Sequence, residues 1–422
     1  MWIRDESFGP ACLASRAEDA VSLQKVLLIF GGVVLLLCAL FVRPRHESGI
    51  KTAASAAASG PQILWRASGG FSEIAIGPDG TIFGGGGNSI SAIGSNGNFK
   101  WKKTLAGVLM PIVGDDGNIY IASSAGLIWG VSPADGSLVW DPRYGLIGFG
   151  APPALGSGGS VLFANTMSDL WAFKPPAQKE LWSQNTQRQG FLSKNSTLPM
   201  ASSTGGMHSR SSPAVWRDGS IILPRARWLH RFSPDGSPDW VIQLTSRGLG
   251  LVALADDGTA YVADDKSLFA VNRSGDLKWS LQTEEGLILT PIVGPDGTVY
   301  FTTSSHMYAL NSDGTVKWNV AVPKWCRTSP ALAEDGTIYI GGDGGISAFR
   351  SDGSEKWTIS STKVGGIGFP GSATISPDGT IFASCGYNQI CAIRDEGSPL
   401  AKGGWPKAYH DAANTSRTVK MF

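Results

Sequence analysis

The segment "GPDGTVYFTTSSHMYALNSDGTVKW", Gly294 to Trp318, contains two Asp-Gly pairs and ends in a tryptophan. The segment "AEDGTIYIGGDGGISAFRSDGSEKW", Ala333 to Trp357, repeats the same order of features 39 residues later. A fixed period of this length is typical of a repeat architecture, in which each copy is one supersecondary unit. The repeat therefore decides the fold before any single motif does.

Eight copies of this unit align along the chain. Four of the seven spacings between their terminal tryptophans are 39 residues. These tryptophans are Trp101, Trp140, Trp182, Trp240, Trp279, Trp318, Trp357 and Trp405. The first Asp-Gly pair recurs at Asp79-Gly80, Asp116-Gly117, Asp218-Gly219, Asp257-Gly258, Asp296-Gly297, Asp335-Gly336 and Asp378-Gly379, with a degenerate copy at Gly158-Gly159. Such pairs favour tight hairpins because glycine adopts positive φ without strain.

Each unit contains four short runs of strand-forming residues separated by turns. Runs such as Val299–Phe301 and Ile338–Ile340 are almost continuously apolar, which is expected when both faces of a sheet are covered. Four antiparallel strands in a unit of this length are typical of one propeller blade. The sequence predicts an all-β fold, an eight-bladed β-propeller of four-stranded antiparallel blades, preceded by one N-terminal transmembrane helix.

A ninth tryptophan complicates the count of outer strands. Trp65, in "PQILWRAS", precedes the first unit, whereas Trp405 follows the last. Ring closure explains the excess, because a strand from one terminus can complete the last blade and remove its sheet edge. We expect the Trp65 strand to close the blade formed by residues 367–394. The C-terminal "GGWPKAYHDAANTSR" is then expected to pack on the outside of the ring.

The N-terminal region contains 17 uncharged residues, from Val26 to Val42. This length lies at the lower limit for a membrane-spanning helix and just above the core of a signal peptide. A cleaved signal peptide would need small residues where Arg43-Pro44-Arg45 stands, and a lipoprotein signal would need one where Leu37 precedes Cys38. An uncleaved signal anchor fits best. The predicted organisation is an N-terminal tail (1–25), a transmembrane signal anchor (26–42), a flexible linker (43–61), the propeller (62–410) and a C-terminal tail (411–422).

The composition limits the class of protein. The chain has 55 glycines and 24 prolines but only 16% charged residues, which indicates many turns. A net charge of +1 provides no reason to expect a nucleic-acid partner. The five cysteines form neither a disulfide framework nor a zinc pattern. Cys385 and Cys391 flank a predicted hairpin tip, where a cross-strand disulfide and two buried thiols fit the sequence equally well.

The ends of several units resemble a known repeat. "AVNRSGDLKW", "ALNSDGTVKW" and "AFRSDGSEKW" are similar to the tryptophan-docking motif of the pyrroloquinoline quinone-like (quinoprotein alcohol dehydrogenase-like) propeller superfamily, over about residues 62–410. The resemblance implies the docking pairs Ala92/Trp101, Ala270/Trp279, Ala309/Trp318 and Ala348/Trp357. Trp65, Trp140, Trp182 and Trp240 are expected to dock in the same structural role. The ending "GGWP…HD…T" resembles that of bacterial propeller proteins of unassigned role.

The superfamily has members with different functions. It includes quinone-dependent dehydrogenases and a cofactor-free propeller lipoprotein of the outer-membrane β-barrel assembly machinery. The dehydrogenases typically carry adjacent cysteines, and no two cysteines are adjacent here. The resemblance therefore favours the cofactor-free branch, and no cofactor is expected.

These arguments favour a non-enzymatic function. We expect a monomeric propeller, tethered to a bacterial cytoplasmic membrane on its extracytoplasmic, periplasmic side. It would act as a binding or scaffold module for a protein or for an anionic polymer or glycan. The alternative is an enzyme with its active site at the central channel, such as a quinoprotein-like oxidoreductase.

One sector departs from the repeat and contains most of the candidate binding residues. The connection after Trp182 is lengthened to residues 183–210 and contains basic but no acidic residues. Arg231 stands where other blades have the docking alanine. Arginine suits carboxylate and phosphate partners, but the sector is also consistent with a solvated insertion whose charge later acidic residues offset. The candidate residues are Arg188, Lys194, His208, Arg210, Arg225, Arg227 and Arg247, with Trp325 and Arg327 as a weaker second group at the channel mouth.

Patterns of catalysis and metal binding are missing from the sequence. The five histidines lack metal-ligand spacing, and no local Ser-His-Asp arrangement occurs. The Asp-Gly pairs lack the alternating oxygen ligands of a calcium loop. We therefore predict neither catalytic nor metal-binding residues. Recognition is expected on the side of the ring with the variable connections, because such loops carry most binding sites.

Overall fold

The computed structural model describes residues 60–69, 73–141, 151–156, 162–165, 169–177, 179–186, 211–245, 249–286, 289–322, 326, 328–364, 371–386, 389–404, 406–411 and 414. The predicted signal anchor, Val26–Val42, lies outside these ranges. Within them, no helix combines the length and the hydropathy needed to cross a membrane.

The described strands pair into eight four-stranded antiparallel sheets, which matches the eight repeat units. We number the sheets as blades in chain order. Strand β1 is Gln62–Ser68. Blade 1 contains β2 (Glu73–Ile76), β3 (Ile82–Gly86), β4 (Ser89–Ile93) and β5 (Phe99–Thr104); blade 2 contains β6 (Val108–Val113), β7 (Ile119–Ser123), β8 (Ile128–Val131) and β9 (Leu138–Trp140). Blade 3 contains β10 (Ala154–Leu155), β11 (Leu162–Asn165), β12 (Asp169–Phe173) and β13 (Glu180–Asn185); blade 4 contains β14 (Ala214–Val215), β15 (Ile221–Arg225), β16 (Trp228–Phe232) and β17 (Pro238–Gln243).

The second half of the ring follows the same order. Blade 5 contains β18 (Val252–Leu254), β19 (Ala260–Ala263), β20 (Ser267–Val271) and β21 (Leu277–Gln282); blade 6 contains β22 (Ile292–Val293), β23 (Val299–Thr302), β24 (His306–Leu310) and β25 (Val316–Ala321). Blade 7 contains β26 (Ala331–Leu332), β27 (Ile338–Gly342), β28 (Gly345–Phe349) and β29 (Glu355–Ser360), followed by a 3₁₀ helix, Ser361–Val364. Blade 8 contains β30 (Thr374–Ile375), β31 (Ile381–Cys385) and β32 (Gln389–Arg394), with β1 as its outer strand.

The Asp-Gly pairs form three-residue hairpin loops. In blade 6 the Gly297 amide donates to the Gly294 carbonyl at 2.9 Å, and the Gly294 amide donates to the Thr298 carbonyl at 2.8 Å. Gly297 has a φ of 78°, a left-handed conformation that glycine adopts without steric cost. The aspartate acts through its side chain, because the Thr298 amide donates to Asp296 Oδ1 at 3.0 Å.

Neighbouring sheets pack face to face around the whole ring. Ala75 and Phe83 of blade 1 share an apolar cluster with Val113 of blade 2, and Ile82 of blade 1 shares another with Phe382 of blade 8. Each of the other junctions, from blades 2 and 3 to blades 7 and 8, also has a buried cluster that spans it. The predicted all-β propeller is therefore confirmed, and burial of both sheet faces explains the continuous apolar runs.

Strand β1 closes the ring, as the sequence predicts for Trp65. It pairs antiparallel with β32 from Gln62 opposite Arg394 to Ser68 opposite Gln389. We call the side with the first and last turns of each blade the turn face. The opposite side, with the middle hairpins and the connections between blades, is the hairpin face.

Candidate functional site

The repeated tryptophans dock successive blades together. Trp279 of blade 5 pairs in register with Ala270 and donates from Nε1 to the Ser312 carbonyl of blade 6 at 2.9 Å. Its ring covers Gly314, where a Cβ would lie 2.7 Å from the ring. The same bond from Nε1 to a carbonyl of the next blade is made by Trp65, Trp101, Trp140, Trp240 and Trp318. These residues have the structural role that the resemblance implies: Trp140 and Trp240 are buried and the other rings are partly buried, and contacts of rings of this size stabilise the junctions.

The junction between blades 7 and 8 uses a side chain in place of a carbonyl. Trp357 Nε1 donates to Asp395 Oδ2 at 2.8 Å, and the Tyr339 hydroxyl donates to the same oxygen at 3.2 Å. Lys356 Nζ lies 3.4 Å from that oxygen. The Asp395 side chain is only 4% exposed, so this carboxylate is a buried acceptor for two hydrogen bonds and the partner of one ion pair.

A cation lies beside the first-turn aspartate in several blades. In blade 6, Lys317 Nζ donates to Thr298 Oγ1 at 2.6 Å and lies 3.7 Å from Asp296 Oδ2. Blades 1 and 5 repeat this arrangement with Lys100 and Lys278, which immediately precede Trp101 and Trp279. A Lys-Trp pair ends several units in the sequence, and this pair is the signal by which these lysines could have been predicted together with the turn aspartates.

These contacts keep the turn carboxylates ionised. Partial burial acts to raise the pKa of Asp296, but hydrogen bonds from Thr298 and the charge of Lys317 outweigh it and lower the pKa below its usual value. The pKa of Asp79 is lowered against burial in the same way by Thr81 and Lys100. In blades 1 and 6 the first turn therefore contains a compensated ion pair, in agreement with the interpretation of the aspartates as turn chemistry.

In blade 4 the cation beside the first-turn aspartate comes from a different position in the sequence. The residue before Trp240 is Asp239, and the cation comes from Arg231, which pairs in register with Trp240. Arg231 Nη2 lies 3.0 Å from Ser220 Oγ and 3.6 Å from Asp218 Oδ2, and Nη1 forms an ion pair with Asp239. Arg231 therefore lies near the turn face and is neutralised there. The departure from the repeat at Arg231 is therefore a changed packing arrangement of blade 4, with its charge paired near the turn face.

Trp216 completes this cluster at the junction of blades 4 and 5. It is 3% exposed, and the guanidinium groups of Arg231 and Arg273 lie 5.6 and 5.9 Å from its ring centroid. Arg273 also forms an ion pair with Asp218. The two arginines cover the indole ring and form ion pairs with aspartates, so we interpret the cluster as a structural contact between blades 4 and 5.

The hairpin face carries the described members of the predicted basic sector. Arg227 is exposed at the tip of the blade 4 hairpin, whereas Arg225 is half-buried beside it. Burial lowers the pKa of Arg225 to about 10, and the nearby Asp169 of blade 3 opposes that shift. Burial and the charge of Arg225 lower the pKa of His230 to about 3, so His230 is a neutral core residue. Arg227 is thus the described candidate that is available for binding.

The other candidates lie outside the described residues. They are Arg188, Lys194, His208, Arg210, Arg247, Trp325 and Arg327.

Acidic residues lie on the same face beyond the blade 4 hairpin. Asp265 and Glu284 are exposed. Residues 249 and 250 join the hairpins of blades 4 and 5 through backbone hydrogen bonds. The Leu249 amide donates to the Ala226 carbonyl of the blade 4 hairpin at 2.6 Å, and the Gly250 amide donates to the Ala263 carbonyl of blade 5 at 2.7 Å. The hairpin face therefore presents positive and negative groups on adjacent blades.

A hydrogen-bonded cluster at blades 5 and 6 was missed by sequence reasoning. Glu285 Oε2 accepts from Thr303 Oγ1 and Ser305 Oγ, both at 2.6 Å, and Glu285 Oε1 lies 2.6 Å from His306 Nδ1. Ser305 Oγ and the carboxylate both contact Nδ1 of His306, whereas a catalytic triad places serine and acid on opposite ring nitrogens. This cluster holds the connection between the blades against the hairpin. No group of three or more metal-capable side chains occurs among the residues that the structure describes.

The described C-terminal residues, 399–404, 406–411 and 414, lie against the inner strands in the central channel and not outside the ring as predicted. The Leu332 amide of β26 donates to the Pro406 carbonyl at 2.8 Å, and the Ala401 amide donates to the Leu332 carbonyl at 2.9 Å. Asn414 is fully buried, and its Nδ2 donates to the carbonyls of Ile74 in blade 1 and Pro111 in blade 2. The earlier expectation fails because the innermost strand of blade 7 has a free edge that a chain terminus can pair with.

Cys385 and Cys391 form a disulfide within the β31–β32 hairpin, with their Cα atoms 5.8 Å apart. Both residues are fully buried. Of the two interpretations open in the sequence, the structure has the cross-strand disulfide.

The fold and its docking contacts define a β-propeller assembled from tryptophan-docked repeats. The family model described as outer membrane protein assembly factor BamB (PQQ_2) matches residues 2–142, 47–190, 166–293 and 288–418. These matches cover most of the chain, which therefore belongs to this family.

Solved structures show the same fold at low sequence identity. The crystal structure of BamB from Moraxella catarrhalis matches with a TM-score of 0.60 and 14% identity over 79% of this chain and 99% of that chain. The C-terminal WD40 domain of Sif2 matches with a TM-score of 0.61 and 9% identity over 80% and 98% of the two chains. No curated protein matches the chain.

Proposed function

We propose that this protein is a non-enzymatic scaffold that binds a protein partner on its hairpin face. Membership of the BamB family supports a protein-binding role, because the family description is that of an assembly factor. The observation that carries the proposal is the C-terminal segment in the central channel, which occupies the space that a channel enzyme would use for substrate. On the turn face most of the described first-turn aspartates lie beside cations, whereas on the hairpin face Arg227 is exposed at a loop tip.

The charges favour a protein over a uniform polyanion as the partner. Arg227 would attract an anionic polymer, but the exposed carboxylates of Asp265 and Glu284 on the neighbouring blades would repel it. A protein surface can present acidic and basic groups in the complementary order, which gives specificity and faster association. We expect Arg227 to contact an acidic group of that surface.

We further propose that the propeller works outside the cytoplasm, attached to the membrane through Val26–Val42. The Cys385–Cys391 disulfide supports an oxidising compartment, since disulfides persist in the periplasm and are rare in the cytosol. The apolar length of Val26–Val42 supports the attachment.

Site-specific photocrosslinking tests the binding face. A photoreactive residue at position 227 should give a crosslinked protein band from native membranes, and Arg227 is preferred over Arg225 because Arg225 is half-buried. The matched control places the same residue at Asp313, an exposed position of the turn face in blade 6. Arg227→Glu should weaken capture by a neighbouring probe at Glu284 without lowering the melting temperature. Capture from position 313 alone would contradict the proposal.

A further inference from the structure

The described residues from Pro399 to Asn414, which we call the C-terminal plug, span several blades. The Glu334 amide of blade 7 donates to the Pro399 carbonyl at 2.7 Å, so the plug enters beside the first turn, at the turn face. A Cβ on Gly404 would lie 2.4 Å from the Val293 carbonyl oxygen, which shows how closely the plug approaches blade 6. From there it reaches blades 1 and 2 through Asn414. The plug therefore lies across the channel from the turn face, in contact with blades 6, 7, 1 and 2.

Two polar side chains anchor the far end of the plug. Lys407 is 3% exposed, and its Nζ donates to Asn414 Oδ1 at 2.5 Å, to the Ala408 carbonyl at 2.9 Å and to the Asp411 carbonyl at 3.3 Å. Asn414 accepts from Lys407 with its oxygen and donates to the channel wall with its nitrogen. The Lys407–Asn414 pair thus connects the plug to blades 1 and 2.

The plug is held by different forces from those that hold the ring. Blade junctions bury large apolar and aromatic side chains, whereas the buried apolar side chains among the described plug residues include the small Ala401 and Ala408, and hydrogen bonds of Lys407 and Asn414 hold its far end. Tyr409, His410 and Asn414 have φ values of 65°, 76° and 60°, and this left-handed conformation costs free energy in residues other than glycine. Segments with few apolar contacts and strained backbone open locally before the whole protein unfolds.

We propose that the C-terminal plug is a releasable closure, which opens as a unit while the ring remains folded. Opening breaks the Lys407–Asn414 anchor and frees the edge of β26 and the carbonyls of Ile74 and Pro111. A free strand edge accepts an extended peptide, so release turns the covered edge of β26 into an edge that can accept a peptide. The plug is the intramolecular occupant of that edge.

Hydrogen exchange on the full-length protein tests this closure. In the wild-type protein, the Leu332 and Glu334 amides, which donate to the plug, should exchange at least tenfold faster than the amides of the central strand β27. Their exchange should also depend less on added denaturant, because a local opening exposes little surface. The proposal is overturned if these amides and those of β27 exchange at one common rate with one common denaturant dependence.

Three variants locate the anchor. Asn414→Ala removes both functions of the amide, whereas Asn414→Asp keeps an acceptor for Lys407 and loses the bonds to Ile74 and Pro111. Each should speed the exchange of Leu332 and Glu334 at least tenfold and leave β27 unchanged. Lys402→Met is the control for a surface contact of the same segment: Lys402 is 75% exposed and forms an ion pair with Glu334 at 3.5 Å, a kind of contact that contributes little, so its loss should change the exchange of the Leu332 amide far less than the Asn414 variants do. Should the Asn414 variants fail to fold, the wild-type measurement still decides.

Discussion

Blade 6 and blade 4 both place a cation beside the first-turn aspartate, but they use different residues to do so. In blade 6 a lysine before the docking tryptophan lies beside the first-turn aspartate, and a small alanine faces the indole ring. In blade 4 an aspartate takes the place of the lysine, and Arg231 takes the place of the alanine and supplies the cation. The position of the charge is thus retained although both residue types have changed. A departure from the repeat in sequence is therefore not by itself evidence of a binding site.

The largest expected effect comes from removing the docking ring in each blade. Trp240 is 3% exposed, and Trp240→Ala should lower the free energy of unfolding by about 3 to 5 kcal/mol. Trp318 is partly exposed, so Trp318→Ala should cost less than Trp240→Ala. Urea unfolding of the two variants measures the difference. Equal or reversed losses would show that burial of the indole does not set the strength of docking.

The next effect is a pH dependence of the unfolding free energy that comes from a residue of blade 4. Tyr308 of blade 6 is the counterpart of His230 in blade 4. The folded His230 has a pKa of about 3 and stays neutral, whereas in the unfolded chain it binds a proton near pH 6.5. The unfolded state therefore binds more protons between these values, and stability falls as the pH decreases, by up to about 1.4 kcal/mol per pH unit.

The His230→Gln variant isolates this contribution. Its unfolding free energy should vary less steeply than that of the wild type between pH 6.5 and 4.5, where the turn aspartates are still ionised. The readout is the slope with pH, so a constant cost of the substitution does not matter. Parallel curves for the two proteins would mean that His230 is protonated in the folded state.

The smallest effect tests whether the blades are interchangeable. Arg231→Ala removes the cation of blade 4 and should lower the free energy of unfolding by about 1 to 2 kcal/mol, because it leaves Asp218 and Asp239 with less compensation. Adding Asp239→Lys recreates the order of residues in blade 6 and should recover most of that loss. Thermal melts of the wild type, both single variants and the double variant give the coupling. Additive effects would contradict the exchange of roles.

The sequence predicts the repeated parts of this protein well. Its period, its Asp-Gly pairs and its terminal tryptophans indicate the all-β propeller, the docking pairs and the closure by the Trp65 strand. These features depend on contacts within a unit or between adjacent units, and each is repeated often enough to be recognised. The basic sector stays a prediction: Arg225 is half-buried near Asp169, Arg227 is exposed, and the other seven of the nine candidates lie outside the described residues.

The sequence by itself determined which residues turn the chain and which pack between blades, because those properties are local and periodic. Only the tertiary structure decided where the C-terminal residues lie, which oxygens surround Lys407, and that Arg231 replaces a lysine. Each of these depends on residues far apart in the chain, since Asn414 contacts Ile74 and Pro111. A contact made once, between distant residues, has no period by which a sequence can reveal it.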